Sequence, residues 1–220
     1  MKPFIRAVGG KNHTVIYTDT DDRHFRFSGG TWTWRNHNPG NLYADTVSKR
    51  HDQIGKTHHF AIFPNDQCGH DALLDSLHTT YGNKTLHQMI YKFAPPKDNP
   101  TKKYLKFLRE KIGVYDDRLI KNFTPVQFKK LWEAIQHFEG HKVGKIIEVF
   151  RVTSVETMRK NLYQFYLDEE NWISESRCMA MAKKGELELE VCSSYLGNTF
   201  LRSPPNSLFQ KPLHLLVKNK

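Results

Sequence analysis

The sequence predicts an α+β fold in which helices dominate. Apolar residues recur at helical spacing through most of the chain between Asp66 and Asp168, and short alternating runs precede that region. The 220 residues contain neither an internal repeat nor a low-complexity tract, which argues against a solenoid. We therefore expect helices packed together with small β-hairpins.

The N-terminal part predicts hairpins joined by a structured loop. His13 to Gly30 carries two alternating runs around an Asp-rich turn, a pattern typical of a β-hairpin. Residues 32–42 are dense in Asn, Pro and Gly, which favour turns and left-handed backbone. Alternation returns between Leu42 and Phe63 and predicts a second small hairpin.

Helices are predicted through the middle of the chain. Asp66 and Thr85 can each cap one, Thr101 begins a third, and Thr124 caps a fourth that ends at Gly140. Prolines directly after the second helix would stop it, because proline lacks the backbone donor.

The remaining segments predict the domain boundaries. A further helix is expected from Gly144 to Asp168, another from Trp172 to Gly185, and two short strands at 187–194 and 198–201. We therefore divide the chain into an N-terminal β-hairpin arm at 1–30, a main domain at 31–168 and a small α/β appendage at 171–220.

The charge predicts an anionic partner. Lys and Arg number 33 against 23 Asp and Glu, which gives a formal charge of +10. Nucleic acid, acidic lipid and peptidoglycan all fit that charge. No stretch is apolar enough to span a membrane and no signal-peptide pattern begins the chain, so we expect no membrane insertion and synthesis without a Sec signal.

Cysteine and histidine patterns predict no metal site and no cofactor. The cysteines, Cys68, Cys178 and Cys192, are widely spaced and form no CxxC pair, so neither a zinc knuckle nor a disulfide framework is indicated. The 12 histidines include no metal-binding spacing on a helix.

Glu139 is the most informative single position. At about 100° per residue, Glu139 falls within about 20° of Phe128 and so shares the apolar stripe of its helix with Leu131 and Ile135. Burial and the helix C-terminus both favour a protonated carboxyl, which a general acid needs near neutral pH. The alternative interpretation is a carboxylate at a frayed helix end that turns sideways to water.

The Asn-rich loop is the second candidate site. Asn36, Asn38 and Asn41 carry amides that can donate to and accept from sugar hydroxyl and acetamido groups, and Tyr43 and two tryptophans offer faces for stacking on a pyranose. An equally good interpretation is architectural, because Asn and Gly also build tight turns. Basic residues between 102 and 111 could contact nucleic acid, but they also fit a solvated helix face.

Four ordered motifs resemble one family. They are SGGTWTWRNHNPGNL, FAIFPNDQCGHDALLDSL, YKFAPPKDNPTKKYLKFL and FKKLWEAIQHFEG, and together they cover about residues 26–150. They resemble the lysozyme-like peptidoglycan hydrolase domains of phage virion proteins and type VI secretion effectors, whose signature is WRNNNPGNL. His37 departs from that signature, which has Asn in its place.

The resemblance implies a fold and an activity. The fold would be a mainly helical lysozyme-like core at 31–168, circularly permuted judging by the order of its motifs, with small β-hairpins and a short C-terminal appendage. The activity would be cleavage of the peptidoglycan glycan strand by a muramidase-type glycoside hydrolase, with glucosaminidase and lytic transglycosylase activity as alternatives. The general acid would be Glu139.

Further site residues follow from the same resemblance. Asp45 and Asp52 are the candidate second carboxylates, and a separation of about 6.5 to 9.5 Å from Glu139 would indicate water attack with inversion. Without such a carboxylate, the substrate's own hydroxyl could attack. Cleft-lining residues are expected at Asn36, Asn38, Asn41, Tyr43, Tyr91, Asn99 and Tyr104.

The resemblance also implies a setting. The chain would be a bacteriolytic effector or phage-type lysin that reaches the periplasm of a target cell, with an immunity protein or a secretion-apparatus component as further partner. We do not expect nucleic acid to be the partner. The alternative to an enzyme is a noncatalytic component of a virion or secretion machine that binds glycan or nucleic acid.

Overall fold

The computed structural model describes residues 2–159, 162–168 and 171–218. The strands are β1 (Phe4–Gly9), β2 (Val15–Asp19), β3 (His24–Ser28), β4 (Gly55–Thr57), β5 (Phe60–Ile62), β6 (Lys145–Val149), β7 (Val152–Arg159), β8 (Leu162–Leu167), β9 (Trp172–Ser174), β10 (Glu190–Ser193), β11 (Thr199–Arg202) and β12 (Val217–Lys218). The α-helices are α1 (Trp32–Arg35), α2 (Thr46–Arg50), α3 (Asp66–Asp75), α4 (Leu86–Phe93), α5 (Thr101–Ile112), α6 (Pro125–Glu139) and α7 (Glu175–Lys184).

The chain forms two compact units. One comprises residues 30–144, and the other combines residues 1–29 with 145–220, of which positions 1, 160, 161, 169, 170, 219 and 220 lie outside the described residues. The first unit is thus a continuous segment placed in the sequence between β3 and β6. This division differs from the predicted boundaries, because the N-terminal hairpin and the C-terminal region belong to one unit.

The discontinuous unit is built mainly from sheets. An antiparallel sheet has the strand order β1-β2-β3-β6, and a second sheet has the order β12-β7-β8-β9 with β12 parallel to β7. In the first sheet Tyr17 is fully buried between Phe4 and Phe27, at ring-centroid distances of 4.6 and 4.7 Å. The second sheet and α7 enclose a core that includes Val155, Phe165 and Cys178.

The continuous unit is mainly helical. Helices α3 to α6 enclose a core that includes Leu73, Leu77, Ile90, Leu108 and Ile135. The short hairpin β4–β5 pairs antiparallel, and α3 continues directly into a π-helical turn at Ser76–Thr80. Fully buried apolar side chains from α3 to α6 fix the end of α6, which carries Glu139.

The structure is α+β, but the prediction that this fold is mainly helical, with only small β-hairpins, is wrong. Helix accounts for 37% of the residues and strand for 27%, and the described residues form four sheets. The largest error is the helix expected from Gly144 to Asp168, where the structure has β6, β7 and β8. That segment is rich in β-branched residues, which pack well on a pleated sheet and lose side-chain freedom in a helix.

Other predicted elements are confirmed. The hairpin β2–β3, the helices α3 to α6 and the pair β10–β11 lie where the sequence predicts them, although Asn65 and not Asp66 caps α3. Within residues 172–185, however, the first three residues form β9 and only the remainder forms α7. Helix α2 is also missing from the prediction, because five residues are too few to show helical periodicity.

Candidate functional site

Helix α6 carries Glu139 as its last residue. The Thr124 side chain caps the helix by accepting from the Gln127 backbone N–H, and the Gln127 side-chain oxygen accepts from the Thr124 backbone N–H. Pro125 occupies the first turn. Gly140 then leaves the helical conformation with a φ of 75°. Sequence therefore fixes both ends of the helix and, with them, the position of the carboxyl group.

Two side chains donate hydrogen bonds to the Glu139 carboxylate. The Asn41 amide nitrogen donates to Oε2 at 2.8 Å, and the Tyr104 hydroxyl donates to Oε1 at 3.0 Å. Tyr104 is held in place because its ring stacks on Phe138, with ring centroids 3.6 Å apart, and is 1% exposed. The three residues come from α6, α5 and the Asn-rich loop, so the fold assembles this group from distant segments.

Burial dominates the electrostatics of this group. It raises the pKa of Glu139, and the hydrogen bonds from Asn41 and Tyr104 oppose that rise because they stabilise the charged form. Burial and the neighbouring Glu139 carboxylate also raise the pKa of Tyr104, so its hydroxyl remains a donor. A half-buried carboxyl with a raised pKa and fixed donors can hold and release a proton.

A cavity of about 290 Å³ adjoins this group through Asn41. Asn41 both borders the cavity and donates to Glu139. Tyr43 forms an exposed wall and packs on Phe60 with a centroid distance of 5.4 Å. The lining residues are Asn41, Leu42, Tyr43, Asp45, Val47, Ser76, Thr80, Tyr81, Lys92 and Phe93. The cavity offers one stacking face and several hydrogen-bonding groups, as a sugar requires.

The two other loop asparagines do not line this cavity. Asn38 is fully buried, and its amide donates to the Leu42 and Ala61 carbonyls at 2.9 and 3.0 Å while its oxygen accepts from the Leu42 N–H. Asn36 is also fully buried, and both polar atoms of its side chain lack a partner among the described residues. The structure thus gives Asn38 an architectural position, and of the three amides only Asn41 reaches Glu139.

Asp45 and Asp52 occupy different surroundings. Asp45 lines the cavity, and its Oδ1 caps α2 by accepting from the Val47 and Ser48 N–H groups at 2.8 and 3.0 Å. Asp52 has a left-handed backbone with a φ of 57° and acts electrostatically on the Cys68 thiol. Asp52 does not line the cavity, so Asp45 is the candidate carboxylate that shares it with Asn41.

Tyr91 and Asn99 line another cavity, of about 410 Å³, at the start of α5. The Tyr91 ring stacks on His87 with centroids 4.4 Å apart, and the Asn99 amide donates to the Pro95 carbonyl at 3.2 Å. Of the predicted site residues, Asn41 and Tyr104 contact Glu139. Tyr43 and Asp45 share a cavity with Asn41, and Tyr91 and Asn99 line a different cavity.

Several residues of the Asn41 cavity escaped the sequence prediction. Ser76, Thr80, Tyr81 and Lys92 line it, and the first two lie in the π-helical turn after α3. Tyr81 follows Leu73 and Leu77 at helical spacing, so the sequence pattern assigns it to the core. A π-helical turn often marks a functional site, but its sequence differs little from an ordinary helix.

Within the described ranges, no group of three His, Cys, Asp or Glu side chains is arranged to hold a metal ion. Cys68, Cys178 and Cys192 are all free thiols. No helix in the described part of the chain is both long and apolar enough to cross a membrane.

Comparison with known proteins assigns the chain to no family. No model of a protein family matches the chain, and no curated protein is significantly similar to it. The motif resemblance therefore stands on the four quoted segments alone, and the candidate site stands on its geometry.

Proposed function

We propose that residues 30–144 cleave the glycan strand of peptidoglycan, with Glu139 as the general acid. One observation carries this proposal: a half-buried carboxyl group at a helix end, held by donors from Asn41 and Tyr104, beside a cavity with an exposed tyrosine wall. The net charge of +10 supports association with an anionic cell-wall polymer.

The first chemical step uses the proton of Glu139. Because burial raises its pKa, the carboxyl group can be protonated when substrate arrives. It gives the proton to the glycosidic oxygen as the bond between that oxygen and the anomeric carbon breaks, which leaves positive charge on the sugar. The donors Asn41 and Tyr104 then stabilise the carboxylate that remains.

The second step has two routes. In one, Asp45 accepts a proton from a water molecule as that water attacks the anomeric carbon, which gives a reducing end. Oδ1 of Asp45 is engaged in capping α2, and Oδ2 has no hydrogen-bond partner among the described residues. In the other, a hydroxyl of the same sugar attacks and returns its proton to Glu139, which gives an anhydro end.

Clearing of purified peptidoglycan tests the first step. We expect Glu139→Gln to lower the rate by about 10²- to 10⁴-fold, since Gln cannot supply a proton. Glu133→Gln is the matched control, because Glu133 lies on the exposed side of the same helix, and it should retain activity. Equal clearing by wild type and Glu139→Gln, or none from either, would contradict the proposal.

Mass spectrometry of the released fragments separates the two routes. Reducing ends whose formation is lost in Asp45→Asn would support water attack, whereas anhydro ends would support attack by the substrate's hydroxyl. The identity of the terminal sugar distinguishes a muramidase from a glucosaminidase. An enzyme of this kind would act as a bacteriolytic effector or lysin, and a neutralising immunity protein would be its natural partner.

A further inference from the structure

A cavity of about 260 Å³ lies in the unit that combines residues 1–29 with 145–220. It is formed by the turn after β1, by β3, by the C-terminal end of α7 and by the segment that leads into β10. Its lining includes two cations, Lys11 and Arg26, and two carboxylates, Glu188 and Glu190. The glycan-cleavage proposal uses none of these residues.

Glu188 is a buried carboxylate with an unused oxygen. The residue is 6% exposed, and its Oε1 accepts only a long hydrogen bond, 3.5 Å, from the Lys11 backbone N–H. Oε2 is buried and has no partner among the described residues. A buried polar atom without a partner is costly, so such an atom beside a cavity indicates a missing donor.

Arg26 supplies the opposite charge on the same cavity. Its Nη1 donates to the Gly185 carbonyl and its positive charge acts on Glu188, yet no hydrogen bond joins the two side chains, because Oε1 of Glu188 accepts from Lys11 and Oε2 has no partner among the described residues. Glu190, by contrast, is already paired with Lys11 and Arg202. The cavity therefore separates one buried carboxylate from one guanidinium, each with capacity for a further partner.

The rest of the lining is suited to a small aliphatic group. Ala182, Leu187, Leu189 and Pro204 contribute apolar surface between the charged groups. The volume lies just below the range of about 300–1,000 Å³ that is usual for ligand pockets, so the cavity suits a small molecule and not a folded partner.

We propose that this cavity binds a small zwitterion, an amino acid or a dipeptide, whose ammonium group contacts Glu188 and whose carboxylate contacts Arg26. An ammonium group supplies the donor that Oε2 lacks, and a carboxylate can accept from a guanidinium that is already oriented by Gly185. A ligand with one charge alone would leave either the buried Glu188 carboxylate or the half-buried Arg26 guanidinium without an oppositely charged partner, so we expect both ligand charges to be required.

Titration of the full-length protein tests this site. The probes are L-alanyl-L-alanine and D-alanyl-D-alanine, followed by calorimetry or by chemical-shift changes, with the N-acetylated and the C-amidated dipeptides as probes that lack one charge. We expect millimolar or tighter binding of at least one unmodified dipeptide, and a loss of at least about tenfold for either modified form.

Three variants locate the binding. Glu188→Gln keeps the shape of the side chain but removes its charge and should weaken binding by at least about tenfold. Ala182→Phe should block the cavity while both charges stay in place. Glu186→Gln makes the same charge change two residues away, outside the cavity lining, and should bind as wild type does. Thermal unfolding of each variant confirms that the unit is folded.

Several results would overturn the proposal. They are no binding of either unmodified dipeptide, equal binding of the N-acetylated or the C-amidated form, or unchanged affinity in folded Glu188→Gln or folded Ala182→Phe. Because the readout is binding rather than glycan cleavage, it is independent of the function proposed for residues 30–144.

Discussion

Tyr104 contributes to how strongly Glu139 holds its proton. The Tyr104 hydroxyl stabilises the charged carboxylate and so lowers its pKa, against the rise caused by burial. In Tyr104→Phe we therefore expect the pKa of Glu139 to rise further. Activity needs the protonated acid and is lost as pH increases through that pKa, so the alkaline limb of the pH–rate profile should move to higher pH.

The pH–rate profile of glycan cleavage measures this shift. Tyr91→Phe is the matched control, because it removes the same hydroxyl from a residue that lines the other cavity, and its limb should stay in place. An alkaline limb that is unmoved or moves to lower pH in Tyr104→Phe would show that Glu139 is not the titrating acid.

The sequence predicts the face of the helix on which Glu139 lies better than it predicts the residues that contact Glu139. Helical phase places Glu139 on the apolar stripe, and the structure finds it half-buried. Its partners could not be derived in the same way, because Asn41 and Tyr104 are separated from it by 98 and 35 residues. The burial of Asn36 and Asn38 could not be predicted either, because a loop asparagine that binds a ligand and one that binds the backbone have the same sequence pattern.

Helix α3 can approach the Asn-rich loop because residue 69 is glycine. A Cβ atom at Gly69 would lie 1.9 Å from the His37 carbonyl oxygen and 2.9 Å from Pro39 Cδ. In Gly69→Ala the loop or the helix must therefore move, and we expect a loss of about 1–3 kcal/mol of stability. Asn41 belongs to that loop, so glycan cleavage per folded molecule should also fall.

Denaturant unfolding and the clearing assay measure the two effects. Gly113→Ala is the control: its φ of 75° strains an alanine, but a Cβ there meets nothing within 4 Å. It should cost about 1–2 kcal/mol and leave cleavage unchanged. If Gly69→Ala loses stability but keeps full activity, the packing of this loop on α3 does not position Asn41 for cleavage.

The elements that the sequence predicted well carry local signals. Thr85 and Thr124 cap α4 and α6, and Gly113 ends α5, so each boundary is encoded within a few residues. Residues 145–167 lack such signals, and their pairing in sheets depends on distant partners: β6 pairs with β3, far back in the chain. Short-range spacing alone could not distinguish a helix from those strands.

The two units should fold as separate molecules. Residues 30–144 connect the end of β3 to the start of β6. At that point Ser28 and Lys145 are paired across the sheet. Deleting residues 30–143 would leave Gly29 and Gly144 as a two-residue turn between these strands, and a Gly-Gly turn suits an antiparallel hairpin. We expect both this shortened chain and the isolated segment 30–144 to unfold cooperatively.

Thermal unfolding of the two fragments, together with the peptidoglycan assay, checks this expectation. The isolated segment should retain the full cleavage activity, because every residue of the Glu139 group lies within it. The shortened chain should have none. An isolated segment that is folded but inactive would mean that the discontinuous unit contributes to cleavage.

The pairing of β3 with β6 also determines when each unit can form during synthesis. The ribosome completes β1 to β3 first, but their neighbour β6 emerges only after residues 30–144. Synthesis proceeds at about 5–20 residues per second, so β3 lacks its partner β6 for roughly 10 s. The segment 30–144 can complete its own core in that interval. During that interval β3 offers an unpaired strand edge to other chains, and its pairing with β6 then covers that edge.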